Sequence, residues 1–173
     1  MQLTAPILCV RLLLLTKGRR IGMIIREFRN EDADAVSQLI VENLETVNIR
    51  DYSKELIDAL VEYKSPEQLL ESAEKCDALV AVENGSIFGV AMLYNNRITN
   101  MFIHTQMHGR NLGRSLLERL EGLAVKQGIC KLTADSSITA VGFYTKCGYE
   151  VIRKVNKPFC GIENVVFEMI KTL

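Results

Sequence analysis

From Met23 onward the apolar positions change period several times, and each change marks an element. Ile24 to Phe28 reads as a strand, after which Ala33, Val36, Leu39, Ile40 and Leu44 recur three or four residues apart on one helical face, with Asn30 placed to cap it. Ser53 caps a second helix carrying Leu56, Ile57, Leu60 and Val61, and Ser65-Pro66-Glu67-Gln68 starts a third. The period then shortens. Ala78 to Glu83, Ser86 to Tyr94 and Arg97 to His104 form an antiparallel meander turned at Asn84-Gly85 and Asn95-Asn96. Apolar residues at 112, 116, 117, 120, 123 and 124 restore the helical spacing until Gly128. Ile129 to Ala134 is a buried strand, and Ser137 caps a short helix through Lys146 that Gly148 ends. YEVIRKV and ENVVFEMI close the chain as strands. The order is a strand, three helices, three strands, a helix, a strand, a helix and two strands, an α/β chain with no repeat or low-complexity tract.

With 173 residues and 48% hydrophobic content, the chain is long enough to bury one good core and has no need of a second. Formal net charge is zero, but the first 22 residues hold Arg11, Lys17, Arg19 and Arg20 and no acid, so residues 23–173 carry 17 basic and 21 acidic side chains, a net of −4. That sign argues against bulk nucleic-acid binding, whose affinity rests on phosphate neutralisation. The five cysteines, Cys9, Cys76, Cys130, Cys147 and Cys160, are widely spaced without a CxxC pair, and there are only two histidines. This fits neither a disulfide framework nor a zinc site, and reads as reduced cytoplasmic cysteines used as small hydrophobes.

The leader MQLTAPILCVRLLLLTKGRRIG has an apolar run broken by Arg11, with its positive charge after the run rather than before it. It is too short to span a bilayer and has no clear cleavage site, which argues against a secretory signal and a membrane anchor. The folded domain is expected to occupy residues 23–173, with residues 1–22 an extension or an upstream start. The alternative is a helix or strand that packs on the domain or on a partner.

Candidate chemistry concentrates in two blocks. MFIHTQMHGRNLGRSLLERLE leads from a strand into the long helix, and DSSITAVGFYTKCGYEV follows it. Together they resemble the GCN5-related N-acetyltransferase (GNAT) family across residues 23–173, and the element order is also that family's. The resemblance implies a mixed, mostly antiparallel central sheet of six to seven strands flanked by helices. The family's cofactor loop has the form Q/R-x-x-G-x-G/A, and the six positions here are His108, Gly109, Arg110, Asn111, Leu112 and Gly113. His108 and Asn111 depart from it. Ala140, Phe143, Tyr144, Gly148 and Tyr149 keep closer to the second block's pattern.

A diphosphate is held by backbone N–H groups at a helix N-terminus, where unpaired donors and the helix dipole favour negative charge. Asn tolerates positive φ better than other non-glycine residues and is a good helix cap, so Asn111 preserves the backbone a glycine would give, while Gly113 permits close approach. By resemblance, the amides of Gly109, Arg110, Asn111, Leu112, Gly113 and Arg114 meet the diphosphate of coenzyme A, with the Arg110 and Arg114 side chains adding charge. Backbone groups of Met101, Phe102 and Ile103 hold the acetyl carbonyl and the pantetheine arm. Ser137, where relatives often carry Asn, either contacts pantetheine or only caps its helix. Tyr144 is the expected catalytic residue, its hydroxyl donating toward the departing thiolate.

A general base is not legible. Some relatives carry a glutamate on the strand before the loop, where this chain reads Ile98, Thr99 and Asn100, and Leu132 fills another position sometimes used. Residues 40–65 correspond to one wall of the acceptor groove and include Asn48, Arg50, Asp51, Tyr52 and Tyr63, among which Arg50 is a candidate for a substrate carboxylate. The resemblance implies a cytoplasmic enzyme that moves acetyl from acetyl-CoA to a primary amine of a small molecule or peptide. It implies no metal, nucleic-acid or membrane partner, and a homodimer by analogy. The competing reading is a non-catalytic acyl-CoA sensor on the same fold.

Overall fold

The computed structural model describes residues 11–16 and 19–173, with side chains from Gly22 onward. The leader's other residues, Cys9 among them, lie outside the described residues. Nine strands and five helices follow in chain order: β1 (Arg11–Thr16), β2 (Arg19–Glu27), α1 (Ala33–Thr46), α2 (Lys54–Tyr63), α3 (Pro66–Ala73), β3 (Asp77–Glu83), β4 (Ser86–Tyr94), β5 (Arg97–Ile98), β6 (Phe102–Ile103), α4 (Leu112–Lys126), β7 (Lys131–Ser136), α5 (Val141–Lys146), β8 (Glu150–Asn156) and β9 (Val165–Thr172). The sheet runs β1-β2-β3-β4-β5-β7-β9-β8, with β6 also on β4, and β5 with β7 is its parallel pair. The nine strands exceed the six to seven expected, because β1 pairs with β2 and the run 97–104 divides in two.

Strand alternation sorts the sheet's side chains onto two cores. Leu79, Ala81, Ala91 and Leu93 face α4, where they meet the fully buried Leu112, Leu116, Leu117 and Leu120. Val80, Val90 and Met92 face α1 and its neighbours, against Val36, Leu39, Ile40 and Leu44. Each such leucine contributes about 2 kcal/mol on burial. Gly89 lets α4 come close, since a Cβ there would lie 2.7 Å from Leu116 Cδ1.

Two expected caps give way to other groups. Asn30 lies in a short 3-10 turn ahead of α1, which has no side-chain cap; the Asp32 carboxylate at the helix start accepts the Arg29 N–H at 2.8 Å and holds Arg26 bidentately. α5 starts at Val141 and not beside Ser137, since residues 137–140 form a turn closed by Ala140 N–H to the Ser137 carbonyl. Ser53 and Ser65 do cap α2 and α3.

The division of 97–104 positions the site. Ile98 pairs with Leu93 and Phe102 with Val90, so three residues, 99–101, oppose two, Ala91 and Met92. This is a β-bulge. Asn100 turns inward there and is satisfied, its Oδ1 accepting from Lys64 Nζ at 2.6 Å and its Nδ2 lying 3.2 Å from Met92 Sδ. Beyond the bulge β6 stays with β4 alone while β5 pairs with β7, so the sheet opens between β6 and β7.

Candidate active site

A cleft of about 640 Å³ occupies that opening. Met101, Phe102 and Ile103 line one side, residues 111–114 the start of α4, and Ser137, Ala140, Phe143, Tyr144 and Cys147 the other. The volume falls in the range of small-molecule sites. Two blocks more than twenty residues apart in sequence thus share one cavity.

Asn111 sits at the helix start with φ 62°, in the left-handed region, as its tolerance for that conformation predicts. Its side chain makes no capping bond. The first backbone bond of α4 runs from Ser115 N–H to the Asn111 carbonyl at 3.0 Å, so the N–H groups of Leu112, Gly113 and Arg114 have no partner among the described residues. Three free donors at the positive end of a helix dipole form an anion cradle. A Cβ on Gly113 would lie 3.1 Å from Phe143 Cε2 and 3.4 Å from Ile103 Cγ1, so a side chain there would crowd the space in front of those donors.

Arg114 lines the cleft and is braced by a 2.9 Å bond from its Nη2 to the Lys146 carbonyl. Arg110 does not join it. Its N–H turns back to the Met107 carbonyl and its exposed side chain lies outside the lining, because the loop closes a tight turn before the helix starts. Gly109 lines the cleft with φ 73°. His108 is exposed and anchors the loop, its Nε2 lying 2.9 Å from the Ile103 carbonyl.

Tyr144 is 5% exposed and wedged between the Phe143 and Tyr149 rings. Its hydroxyl has no hydrogen-bond partner among the described residues, yet it is not sealed off, since none of their buried polar side-chain atoms is unpartnered. Burial raises its pKa well above the ordinary phenol range, so near neutral pH it keeps its proton and is a donor. Burial also raises the Cys147 thiol, which keeps it protonated and disfavours a nucleophilic thiolate. Ser137 lines the cleft with its hydroxyl uncommitted, which leaves open the contact role and removes the capping one.

The opposite wall comes from distant segments. Asn43, Val47 and Asn48 at the end of α1 line it, together with Thr99, Asp135 and Thr139. Tyr52 latches this wall, its hydroxyl donating to the Val165 carbonyl at 2.8 Å and accepting the Ile138 N–H at 3.1 Å, while Asp51 accepts from the Thr139 hydroxyl. Arg50 is exposed and outside the cleft. Lys64, largely buried beside the bulge, is pushed down to about 8 by desolvation. Tyr52 and Asp51 appear in the sequence as polar residues of the acceptor wall, but partners 86 to 113 positions away leave no local trace.

A cradle of free amides, a gap in the sheet and a tyrosine thus line one cleft. The family model for the acetyltransferase (GNAT) domain matches residues 48–172, and the chain belongs to that family. A solved GCN5-related N-acetyltransferase from Rhodopseudomonas palustris is 27% identical, with a TM-score of 0.81 over 86% of this chain and 94% of that one. PaiA N-acetyltransferase from Thermoplasma acidophilum, solved with coenzyme A, is 22% identical with a TM-score of 0.72 over 88% and 100%. An aminoglycoside 6'-N-acetyltransferase, also solved with coenzyme A, is 16% identical with a TM-score of 0.66 over 86% and 96%, and these two show the shared fold. No curated protein matches the chain. Family membership makes it an acyltransferase. Among the described residues, no helix is long and apolar enough to cross a membrane and no cluster of metal-ligating side chains occurs.

Proposed function

We propose that this protein is a cytoplasmic N-acetyltransferase that moves acetyl from acetyl-CoA directly to a primary amine of a small molecule or peptide. The observation that carries the reading is the single cleft that unites the free amides of residues 112–114, the open β6 edge and the Tyr144 hydroxyl. Complexes of two fold relatives with coenzyme A support acetyl-CoA as the donor. Leu112, Gly113 and Arg114 N–H groups receive its diphosphate, assisted by the Arg114 guanidinium, and the unpaired edge of residues 101–103 runs along the pantetheine. Gly109 and Asn111 shape the loop, and Ser137 faces the same arm.

In the reaction the amine nitrogen bonds to the acetyl carbonyl carbon, the carbon–sulfur bond breaks and the electron pair leaves on sulfur. With reference values of ~8.5 for a thiol and ~10 for tyrosine, full proton transfer to the thiolate is uphill by about 2 kcal/mol. Burial of Tyr144 widens that gap. Tyr144 therefore acts by a hydrogen bond that strengthens as charge grows on sulfur. The amine's proton goes to water, since Asp135, the one carboxylate in the cleft lining, already holds Arg97 and Lys157. Reaching the neutral amine at pH 7 costs about 1 kcal/mol for an α-amine and about 4.6 for a lysine-like amine, which favours α-amines.

The test is thiol release from acetyl-CoA with a panel of primary amines, for the full chain and for Tyr144→Phe. The reading expects amine-dependent turnover that Tyr144→Phe reduces about 100-fold or more with acetyl-CoA binding retained. Tight acetyl-CoA binding with no turnover on any amine points instead to an acyl-CoA sensor.

A further inference from the structure

The sheet face beside the cleft carries a row of charges that the transfer chemistry does not use. Arg97 on β5, Asp135 on β7, Lys157 just after β8, Glu168 on β9 and Arg153 on β8 alternate in sign across four strands. Arg97 Nη1 lies 2.7 Å from Asp135 Oδ2, and Lys157 Nζ lies 2.8 Å from both Asp135 Oδ1 and Glu168 Oε1. Arg153 Nε lies 2.6 Å from Glu168 Oε2. Asp135 and Glu168 face each other in register across β7 and β9, an arrangement of like charges that is unfavourable unless a cation sits between them, as Lys157 does. The Arg153 and Lys157 contacts hold Glu168 down to about 2.

The row reaches the cleft through Asp135. It also runs beside it through β5, where Arg97 and Thr99 are exposed while Ile98 and Asn100 are buried, so Arg97, itself outside the lining, shares a face with Thr99 two residues along and roughly 7 Å away. Thr99 is itself part of the lining. Every carboxylate oxygen of the row has a cationic partner, so the cleft lining offers no unpaired carboxylate to a second ammonium group on an acceptor. The cations outnumber the carboxylates by three to two. Arg97 spends one N–H on Asp135 and stays half exposed, leaving an edge of its guanidinium for a planar anion, which that fork matches bidentately.

We propose that the acceptor is an amine that also carries a carboxylate, and that the free edge of the Arg97 guanidinium receives this carboxylate while the amine lies near Thr99 and Met101. This rests on the acetyltransferase reading and adds the acceptor's class. The Asp135 contact then has a purpose, because it fixes the guanidinium plane before the substrate arrives. Diamines and polyamines are poor acceptors in this site.

The experiment measures kcat/KM of the full chain for amino carboxylates from glycine to 6-aminohexanoate and for glycylglycine. Each is set beside its neutral amide and a diamine of matched length. The expected result is a preference of about 10- to 100-fold for at least one carboxylate over its amide, seen mainly in KM. Arg97→Gln is expected to abolish that preference without changing the affinity for acetyl-CoA. Arg97→Lys, which keeps the charge and loses the fork, retains part of it, and tests the idea even where the glutamine variant folds poorly. Amides or diamines that react as well as the carboxylates overturn the proposal alone. No transfer to any amine while acetyl-CoA is bound overturns the acetyltransferase reading and this proposal with it.

Discussion

At the α4 end of the cleft the groups on offer are backbone donors, the N–H groups of Leu112, Gly113 and Arg114, held by a turn whose shape depends on Gly109 and Asn111. At the β5 and β7 end they are side chains drawn from four strands and from the loop after α1, held by ion pairs and by the Tyr52 latch. The first end tolerates changes of side chain so long as the turn survives, and His108 and Asn111 in place of more usual residues are such changes. The second end has no such tolerance, because each group there depends on a particular partner. One wall therefore depends on backbone shape, and the other on the identity of particular side chains.

The largest predicted effect breaks the backbone wall. Gly113→Ile puts a branched side chain where a Cβ already comes within 3.1 Å of Phe143, and is expected to weaken acetyl-CoA binding by about 100-fold in a calorimetric titration. Asn111 sharpens the point. Asn111→Val forces a β-branched residue to φ 62°, with a stability loss of about 1–2 kcal/mol in urea denaturation and weakened binding, while Asn111→Gly keeps both.

On the side-chain wall, Tyr52→Phe removes two hydrogen bonds, to Val165 and from Ile138. The expected loss is about 1–2 kcal/mol of stability with a raised KM for the amine, and an acetyl-CoA affinity that stays close to wild type.

Lys64 gives the most condition-dependent effect. Its lowered value, about 8 against the ordinary 10.5, means the native state holds fewer protons than the unfolded chain between those two values. Its contribution to stability therefore rises with pH through that window, by about 3 kcal/mol at most. Wild type compared with Lys64→Met by urea denaturation at pH 7.5 and pH 10 isolates it, with the wild type gaining relative to the variant at the higher pH. An equal difference at both values contradicts a desolvated Lys64.

The legibility of the two walls differs in the same way. The loop before α4, the left-handed Asn111 and the tyrosine block are local, and residue types with fixed offsets announce them. The helix caps at Ser53 and Ser65 and the turns at Asn84 and Asn95 were legible for the same reason. The bulge at residues 99–101 was not. Arg97 to His104 carries an unbroken strand pattern, and the break arises because Asn100 finds Lys64 and Met92, 36 and 8 positions away. The charge row is invisible for a stronger reason, since its members stand on β5, β7, β8 and β9 and just after β8, and meet only through sheet register. Arg110 is the opposite case. Its place in the loop motif draws it into the cradle, and the turn that makes the cradle swings it out.

The most direct test of the backbone wall is a calorimetric titration of the full chain with acetyl-CoA, with ATP as the control for nonspecific phosphate binding. The account predicts saturable binding of acetyl-CoA in the micromolar range, at least tenfold tighter than ATP. No saturable heat with acetyl-CoA, or equal affinity for ATP, would contradict the cradle at residues 112–114 and with it the donor assignment.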